Sequence, residues 1–176
     1  MRRKAIEELY RWKASADRKP LIVQGARQVG KTWLMKEFAK EAYKKCAYVN
    51  FEDNDMLRQL FEHDFDIQRI INSIQWTTGV TIDTDTLIVL DEIQEAPRGI
   101  TALKYFQEKA PEYHVMAAGS LLGIAMHHND SFPVGKVDFM YLYPLSFFEF
   151  LEAVGEKRMV DLLMSKVWQT RSLFRG

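Results

Sequence analysis

A short string of residues near the beginning of the chain sets a strand, a tight turn and a helix in a fixed order. Residues 21–23 are Leu, Ile and Val, and they lead to Gly25, four intervening residues, and then Gly30, Lys31 and Thr32. A short apolar run is typical of a buried strand, and the residues after Thr32 place apolar side chains at helical spacing. The chain must therefore fold so that a glycine-rich turn joins a buried strand to a helix.

The spacing within this turn is that of a phosphate-binding loop. Gly25 and Gly30 allow the tight, partly left-handed backbone that points successive amide groups at one anion. The helix dipole adds positive charge, Lys31 can reach the terminal phosphates, and the Thr32 hydroxyl can ligate Mg²⁺. The residues predicted to bind the nucleotide are Gly25, Ala26, Arg27, Gln28, Val29, Gly30, Lys31, Thr32 and Trp33.

A second apolar run, residues 86–90, ends in Asp91 and Glu92. A continuous run of this kind is typical of a strand buried on both faces of a parallel sheet. Two carboxylates at its end are costly unless a cation faces them. We predict that Asp91 binds Mg²⁺ opposite Thr32 and that Glu92 activates the attacking water as general base. The adjacent acidic pair therefore favours hydrolysis over simple binding.

The rest of the chain alternates helices and strands, which predicts an α/β fold in three layers with a parallel sheet in the middle. The predicted strands are 20–24, 46–51, 86–91, 114–119 and 137–142. The predicted helices are 3–15, 31–42, 54–62, 66–76, 98–109, a short one from 120, 145–153 and 156–169. At 176 residues the chain fits one such domain. We expect the domain to span residues 1–153, and residues 154–176 to form a helical segment that leads into a further C-terminal region.

The strand at 114–119 decides which strand ends face the loop. If it lies between the loop strand and the acidic strand, the strand order is 5-1-4-3-2, and the two key strand ends are ~10 Å apart. Ser120 then emerges between them, where it can contact the terminal phosphate or the attacking water, and it can equally cap the following helix. Glu52, Asp53 and Asp55 follow the edge strand, ~14 Å away, and are predicted to cap a helix instead.

Five stretches of the chain together resemble a known family. They are residues 25–32, 90–94, 118–123, 131–137 and 143–147. In these stretches the chain is similar to prokaryotic AAA-type ATPases of the origin-recognition and archaeal branch of the AAA+ superfamily. The resemblance implies ATP and Mg²⁺ as ligands, Lys31, Glu92 and Ser120 as catalytic residues, and the sensor 1 position for Ser120. Members of this family usually continue into C-terminal regions, so the expected partners are an effector domain or further copies of the chain.

Two cationic roles of AAA+ proteins are not assigned by the sequence. Arg98 and Lys136 are the candidates for an arginine finger, although each is also explained as a surface charge. The lid with its sensor 2 arginine is either missing or reduced to the helix at 156–169. Arg27, within the loop, can add charge toward a phosphate or, as we favour, bind a neighbouring acid.

Composition limits the partners. Net charge is zero, which gives no electrostatic support for nucleic acid over the whole chain. Residues 1–19 carry seven basic residues against three acidic ones, and a solvated helix face explains them better than a nucleic-acid surface. No apolar run approaches the ~20 residues that cross a bilayer, and nothing resembles a signal peptide. The single cysteine, Cys46, cannot form an internal disulfide, so we expect a cytoplasmic protein without a membrane segment.

Three functions are open at this point. The first is an ATP-hydrolysing motor or switch domain, which the acidic pair favours. The second is a nucleotide-gated binding module with little intrinsic hydrolysis and an attached effector, with DNA as one candidate partner. The third, a small-molecule P-loop kinase, is disfavoured because the sequence has no arginine-rich lid for a second phosphate substrate.

Overall fold

The computed structural model describes residues 4–53, 55–120, 135–144, 151, 155–156 and 158–163. Its strands are β1 (Leu21–Gly25), β2 (Lys45–Asn50), β3 (Thr86–Asp91), β4 (His114–Ser120) and β5 (Asp138–Tyr141). Its helices are α1 (Lys4–Ala14), α2 (Lys31–Ala42), α3 (Asp55–Arg58), α4 (Ile67–Thr78) and α5 (Gly99–Lys109), with a 3₁₀ turn at Ile93–Glu95. Residues 158–163 are also helical.

The predicted strands are confirmed to within one residue at each end, and α1, α2, α4 and α5 to within two. The helix predicted at 54–62 is shorter than expected, because Arg58 turns its guanidinium back to the carbonyl of Phe51 at 2.7 Å and the chain continues as a turn. The short helix predicted after Ser120 and most of those predicted at 145–153 and 156–169 lie outside the described residues.

The five strands form one parallel sheet in the order β2-β3-β4-β1-β5. This is the predicted order 5-1-4-3-2 counted from the other edge, so that prediction is confirmed. In the register of the sheet, Gly25 lies opposite Ser120, and Asp91 lies opposite Asn50. Because the strands are parallel, these residues all lie at the carboxyl edge of the sheet, where the loop between β1 and α2 begins.

Both faces of the sheet are buried, which makes the domain a three-layer sandwich. Ile88 and Leu90 of β3 pack into a core with α3, α4 and α5, whereas Leu87 and Val89 pack on the other face with α1 and α2. Successive side chains of a strand point to opposite faces, so a strand covered on both sides reads as a continuous apolar run. Each fully buried Ile, Leu or Phe contributes about 1.5–3 kcal/mol, and the two cores hold the sheet edge in place.

Gly25 ends β1 at a point where another backbone passes very close. A Cβ atom built on Gly25 would lie 2.4 Å from the carbonyl oxygen of Leu142. The Leu142 amide donates to the Gln24 carbonyl at 2.7 Å, so the chain after β5 is held against the end of β1. The first glycine of the loop is therefore required by close packing in this fold.

A contact between two polar side chains lies at the amino edge of the sheet, where the strands begin. The Tyr43 hydroxyl and His114 Nδ1 are 2.6 Å apart, joining the end of α2 to the beginning of β4. The Lys13 ammonium lies 4.1 Å over the Tyr43 ring. Burial, reinforced by the positive charges of Arg18 and Lys13, lowers the pKa of His114 to about 4. The histidine is therefore neutral in the folded protein at neutral pH.

We predict that Gly25→Ala lowers the melting temperature by several degrees, since forcing a methyl group against a backbone carbonyl costs about 1–3 kcal/mol. Gly79→Ala is the matched control, because its Cβ would meet nothing within 4 Å and only its φ of +68° is unfavourable for alanine. Both variants are melted in a calorimeter beside the parent chain, and a Gly25→Ala protein that melts at the parent temperature would contradict the packing explanation.

We also predict a pH dependence of stability from His114. Its pKa is lower in the folded protein than the usual value near 6.5, so between these two values the unfolded chain binds more protons. The free energy of unfolding therefore falls as the pH drops from about 6.5 to about 4, on the order of 1 kcal/mol after discounting for the partial solvent exposure of the ring. Urea titrations across this range should show a shallower pH slope for His114→Gln, and equal slopes would refute the assignment.

Candidate nucleotide-binding site

The loop between β1 and α2 has the backbone of an anion site. Gly30 is left-handed, with φ 89° and ψ 31°, and it caps the first turn of α2. Gln28 is also left-handed, with φ 64°, which is an unusual conformation for a residue with a side chain. Strained backbone of this kind persists where the surrounding fold imposes it, often at ligand sites. The positive end of the α2 dipole therefore faces the space enclosed by the loop.

Lys31 places a buried positive charge inside the loop. The residue is only 6% exposed, and its ammonium donates to the carbonyl oxygens of Gly25 at 3.1 Å and Ala26 at 2.9 Å. Both acceptors are neutral, so these bonds hold the ammonium without cancelling its charge. A buried cation with this kind of partner favours an incoming anion.

The two predicted magnesium ligands lie in direct contact. The Thr32 hydroxyl donates to Asp91 Oδ2 at 2.6 Å, and Asp91 is only 2% exposed. The Tyr48 hydroxyl donates to the same oxygen at 2.9 Å, and the Glu92 amide donates to Asp91 Oδ1 at 3.1 Å. Three donors thus orient one buried carboxylate at the end of β3.

Tyr48 is a residue that the motifs did not single out. Burial and its hydrogen bond to Asp91 raise the pKa of the phenol above its ordinary range, so it remains a donor at neutral pH. The alternation of side chains along β2 and β3 could have identified Tyr48. Tyr48 pairs with Val89, and Asp91 lies two residues beyond Val89 on the same face of the sheet.

Glu92 has a separate environment from Asp91. Its φ of 51° is left-handed, and it begins the 3₁₀ turn after β3. The Gln94 side-chain amide donates to Glu92 Oε2 at 2.5 Å. The other end of this amide, Gln94 Oε1, is buried and has no hydrogen-bond partner within the described part of the chain. The carboxylate predicted to be the base is therefore held through one of its two oxygens.

An open cavity of about 550 Å³ joins the loop to Glu92, and its size is within the usual range for ligand pockets. Its lining residues are Gln28, Gly30, Lys31, Thr32, Trp33, Lys36, Glu37, Lys40 and Glu92. The other predicted nucleotide-binding residues are not among these lining residues. Ala26 and Arg27 are exposed, Val29 packs into the core, and Gly25 lies beneath Leu142. Ser120, at the end of β4 opposite Gly25, is partly buried.

The comparison with protein families decides the family. The profile of the family described as "AAA domain" matches residues 17–151, more than three quarters of the chain. The chain belongs to the AAA domain family. The predicted resemblance to AAA-type P-loop ATPases is confirmed, and the family supports a nucleotide-binding, ATPase-like function.

The fold of this AAA domain is also found in a solved structure. The structure of Drosophila ORC bound to DNA matches with a TM-score of 0.57 and 15% identity, over 92% of this chain and 48% of that one. The structure of C. elegans PCH-2 matches with a TM-score of 0.49 and 14% identity, over 83% of this chain and 43% of that one. The chain thus spans less than half the length of either. No curated protein sequence matches the chain significantly.

The candidate finger cations of the AAA domain are engaged within the chain. Arg98 donates to the Glu62 carbonyl at 2.8 Å, and its guanidinium lies 4.2 Å over the Phe65 ring. Lys136 forms an ion pair with Glu108 at 3.1 Å. Arg27, which we expected to bind a neighbouring acid, makes no ion pair with any described residue.

The acidic residues after β2 contact side chains that are close to them in the sequence. Asp53 accepts from the Asn50 side chain at 2.6 Å, and Asp55 lies in the first turn of α3, where it pairs with Arg58 at 2.9 Å.

None of the helices that the structure describes is both long and apolar enough to span a membrane.

The residues of the AAA domain fit a magnesium-nucleotide pair by their chemistry. Mg²⁺ prefers hard oxygen ligands and keeps several waters, and the Thr32 hydroxyl and the Asp91 carboxylate supply such oxygens at one point. The Lys31 ammonium and the beginning of α2 supply the positive charge that a polyphosphate requires. Thr32 and Asp91 would hold the ion, and Lys31 would bind the phosphates.

Proposed function

We propose that this AAA domain binds ATP with Mg²⁺, hydrolyses it, and couples the nucleotide state to a partner. The observation that carries the proposal is the direct contact between Thr32 and Asp91, at 2.6 Å, beside the Lys31 ammonium. Lys31 and Thr32 come from the first turn of α2 and Asp91 comes from the end of β3, so the fold brings these groups together from distant parts of the sequence. A bond between a hydroxyl and a carboxylate alone does not require a buried lysine and a left-handed glycine next to it.

Binding uses charges and amides that are already in place. Lys31 would exchange the Gly25 and Ala26 carbonyls for phosphate oxygens, and the amides at the beginning of α2 would bind the same group. Thr32 would ligate the metal directly and Asp91 would hold it through water. When bound, Mg²⁺ neutralises charge that develops on the phosphate oxygens.

Hydrolysis needs a base beside the terminal phosphate, and Glu92 is our candidate. It lies on the rim of the same cavity, and Gln94 fixes one of its carboxylate oxygens. The other carboxylate oxygen would take a proton from water while the water oxygen bonds to phosphorus and the bond to the ADP oxygen breaks. Ser120, from the strand between β1 and β3, would orient the water or the terminal phosphate.

A second candidate function is a nucleotide-gated binding module with little hydrolysis of its own. It is favoured by the engagement of Arg98 and Lys136 within the chain, because neither is then available to stabilise a transition state. A finger would have to come from another copy of the chain or from an effector. In either candidate function we propose that the AAA domain covers residues 1–153 and that residues 154–176 form a separate helical segment.

DNA is the less supported partner. Lys13 donates to the Ala42 carbonyl and Arg18 donates to the Lys13 carbonyl, so part of the basic excess near the N-terminus is used inside the domain. The net charge of zero gives no further attraction for a polyanion.

We also propose a cytoplasmic location for the protein, which the single cysteine favours.

We predict opposite effects from two substitutions at the site. Lys31→Ala should weaken ATP binding by about 30-fold or more, since it removes a charge-assisted bond of about 2 kcal/mol or more. Glu92→Gln should bind ATP within about 3-fold of the parent and lose turnover by about 100-fold or more. Calorimetric titration with Mg·ATP and a phosphate-release assay measure both quantities. Lys44→Ala is the control, because Lys44 is an exposed lysine just before β2 that pairs with Asp85, and turnover at the parent rate in Glu92→Gln would overturn the base assignment.

We predict that phosphate release per chain rises with protein concentration. A cation donated by a neighbouring copy accelerates phosphoryl transfer, typically by about 10³-fold or more. The rate of phosphate release is measured at constant ATP over a wide range of protein concentrations. A rate that is measurable and independent of concentration would argue against donation between copies, and a rate near zero throughout would favour the gated module.

A further inference from the structure

Tyr48 connects the edge strand of the sheet to the candidate magnesium ligand. Its hydroxyl donates to Asp91 Oδ2 at 2.9 Å, and Thr32 donates to the same oxygen at 2.6 Å. β2 is otherwise remote from the loop, because β3, β4 and β1 follow it in the sheet. The side chain reaches the carboxyl edge from two residues inside β2, which ends at Asn50.

The ring of Tyr48 is held in this position by α2. The Lys36 ammonium lies 3.8 Å over the ring centroid. Lys36 is four residues after Thr32, which places the two on one face of the helix. The helix that supplies the threonine thus also fixes the tyrosine, and both act on a single carboxylate oxygen.

The two hydroxyls that donate to Asp91 Oδ2 differ in whether they would also bind a metal ion. Thr32 has one hydroxyl, and its oxygen is the atom that would ligate a metal. The Thr32 oxygen can ligate a cation through a lone pair while its hydrogen still donates to Asp91 Oδ2, so a bound metal would constrain this donor. Tyr48 comes from a different strand and would not ligate the metal, so it can keep donating in both states, while the Glu92 amide keeps Oδ1 in place. The carboxylate would then hold one orientation before and after the metal binds.

We propose that Tyr48 is a positioning residue that orients Asp91 for magnesium-dependent nucleotide binding. The inference rests on the proposed function, and Tyr48 acts through Asp91 without touching the nucleotide. Groups that hydrogen-bond a metal ligand in this way typically change metal affinity by about 10–100-fold when they are removed.

A purely structural role makes a different prediction. If Tyr48 only stabilised the domain, its loss would lower the melting temperature and leave the effect of Mg²⁺ on nucleotide affinity unchanged. If it orients Asp91, nucleotide affinity without Mg²⁺ stays constant and the gain in affinity on adding Mg²⁺ becomes smaller. The ratio of the two dissociation constants therefore separates the roles.

The experiment compares Tyr48→Phe with the parent and with Tyr43→Phe. Tyr43 is the matched control because it is also partly buried and also loses one phenol hydrogen bond, to His114 at the far edge of the sheet. The dissociation constant of a fluorescent ATP analogue is measured on the 176-residue chain in excess Mg²⁺ and in EDTA. Both constants come from one preparation, so a loss of folded protein scales both amplitudes and leaves their ratio intact.

We expect Tyr48→Phe to reduce the gain in affinity from Mg²⁺ by about 10-fold and to change affinity in EDTA by less than about 2-fold. Tyr43→Phe should retain the parent ratio. A Tyr48→Phe protein with the parent ratio would overturn the inference and leave the proposed function standing. A parent chain whose affinity shows no gain from Mg²⁺ would overturn both.

Discussion

The site depends on the distance between two strands that do not touch. β1 leads into the loop and β3 ends in Asp91, and the single strand β4 separates them. This gap lets the first turn of α2 reach across, so that the hydroxyl of Thr32 meets the carboxylate of Asp91. If β1 and β3 were adjacent, the gap would be about 5 Å, and Ser120 at the end of β4 would no longer lie between the loop and Asp91. The order of the strands thus decides which residues meet at this edge of the sheet.

The same edge buries two opposite charges that do not bind each other. Lys31 bonds to loop carbonyls, and Asp91 bonds to two hydroxyls and an amide. Each buried charge costs several kcal/mol unless it is hydrogen-bonded, and the domain meets this cost with neutral donors and acceptors. Both charges therefore remain available to a ligand. The two apolar cores on either side of the sheet supply the stability that such an arrangement requires.

Much of this could be predicted from the sequence because the signals were local. Apolar runs predicted the strand bounds, and the strand order followed from placing the strand at 114–119 between the loop strand and the acidic strand. Tyr48 was missed although the period of β2 places it on the face of Asp91. Gln94 could not be predicted, because its bond to Glu92 requires a left-handed backbone at a residue with a side chain. The engagement of Arg98 with Glu62 and Phe65 depends on tertiary packing, and no local pattern carried it.

The close approach of Leu142 to Gly25 has a mechanical consequence. The carbonyl of Leu142 lies where a side chain on Gly25 would be, and its amide is bonded to Gln24. The residues that follow β5 are thus held against the end of β1 by one hydrogen bond and by direct backbone contact. A displacement of Leu142 would therefore either break this hydrogen bond or move the end of β1 with it.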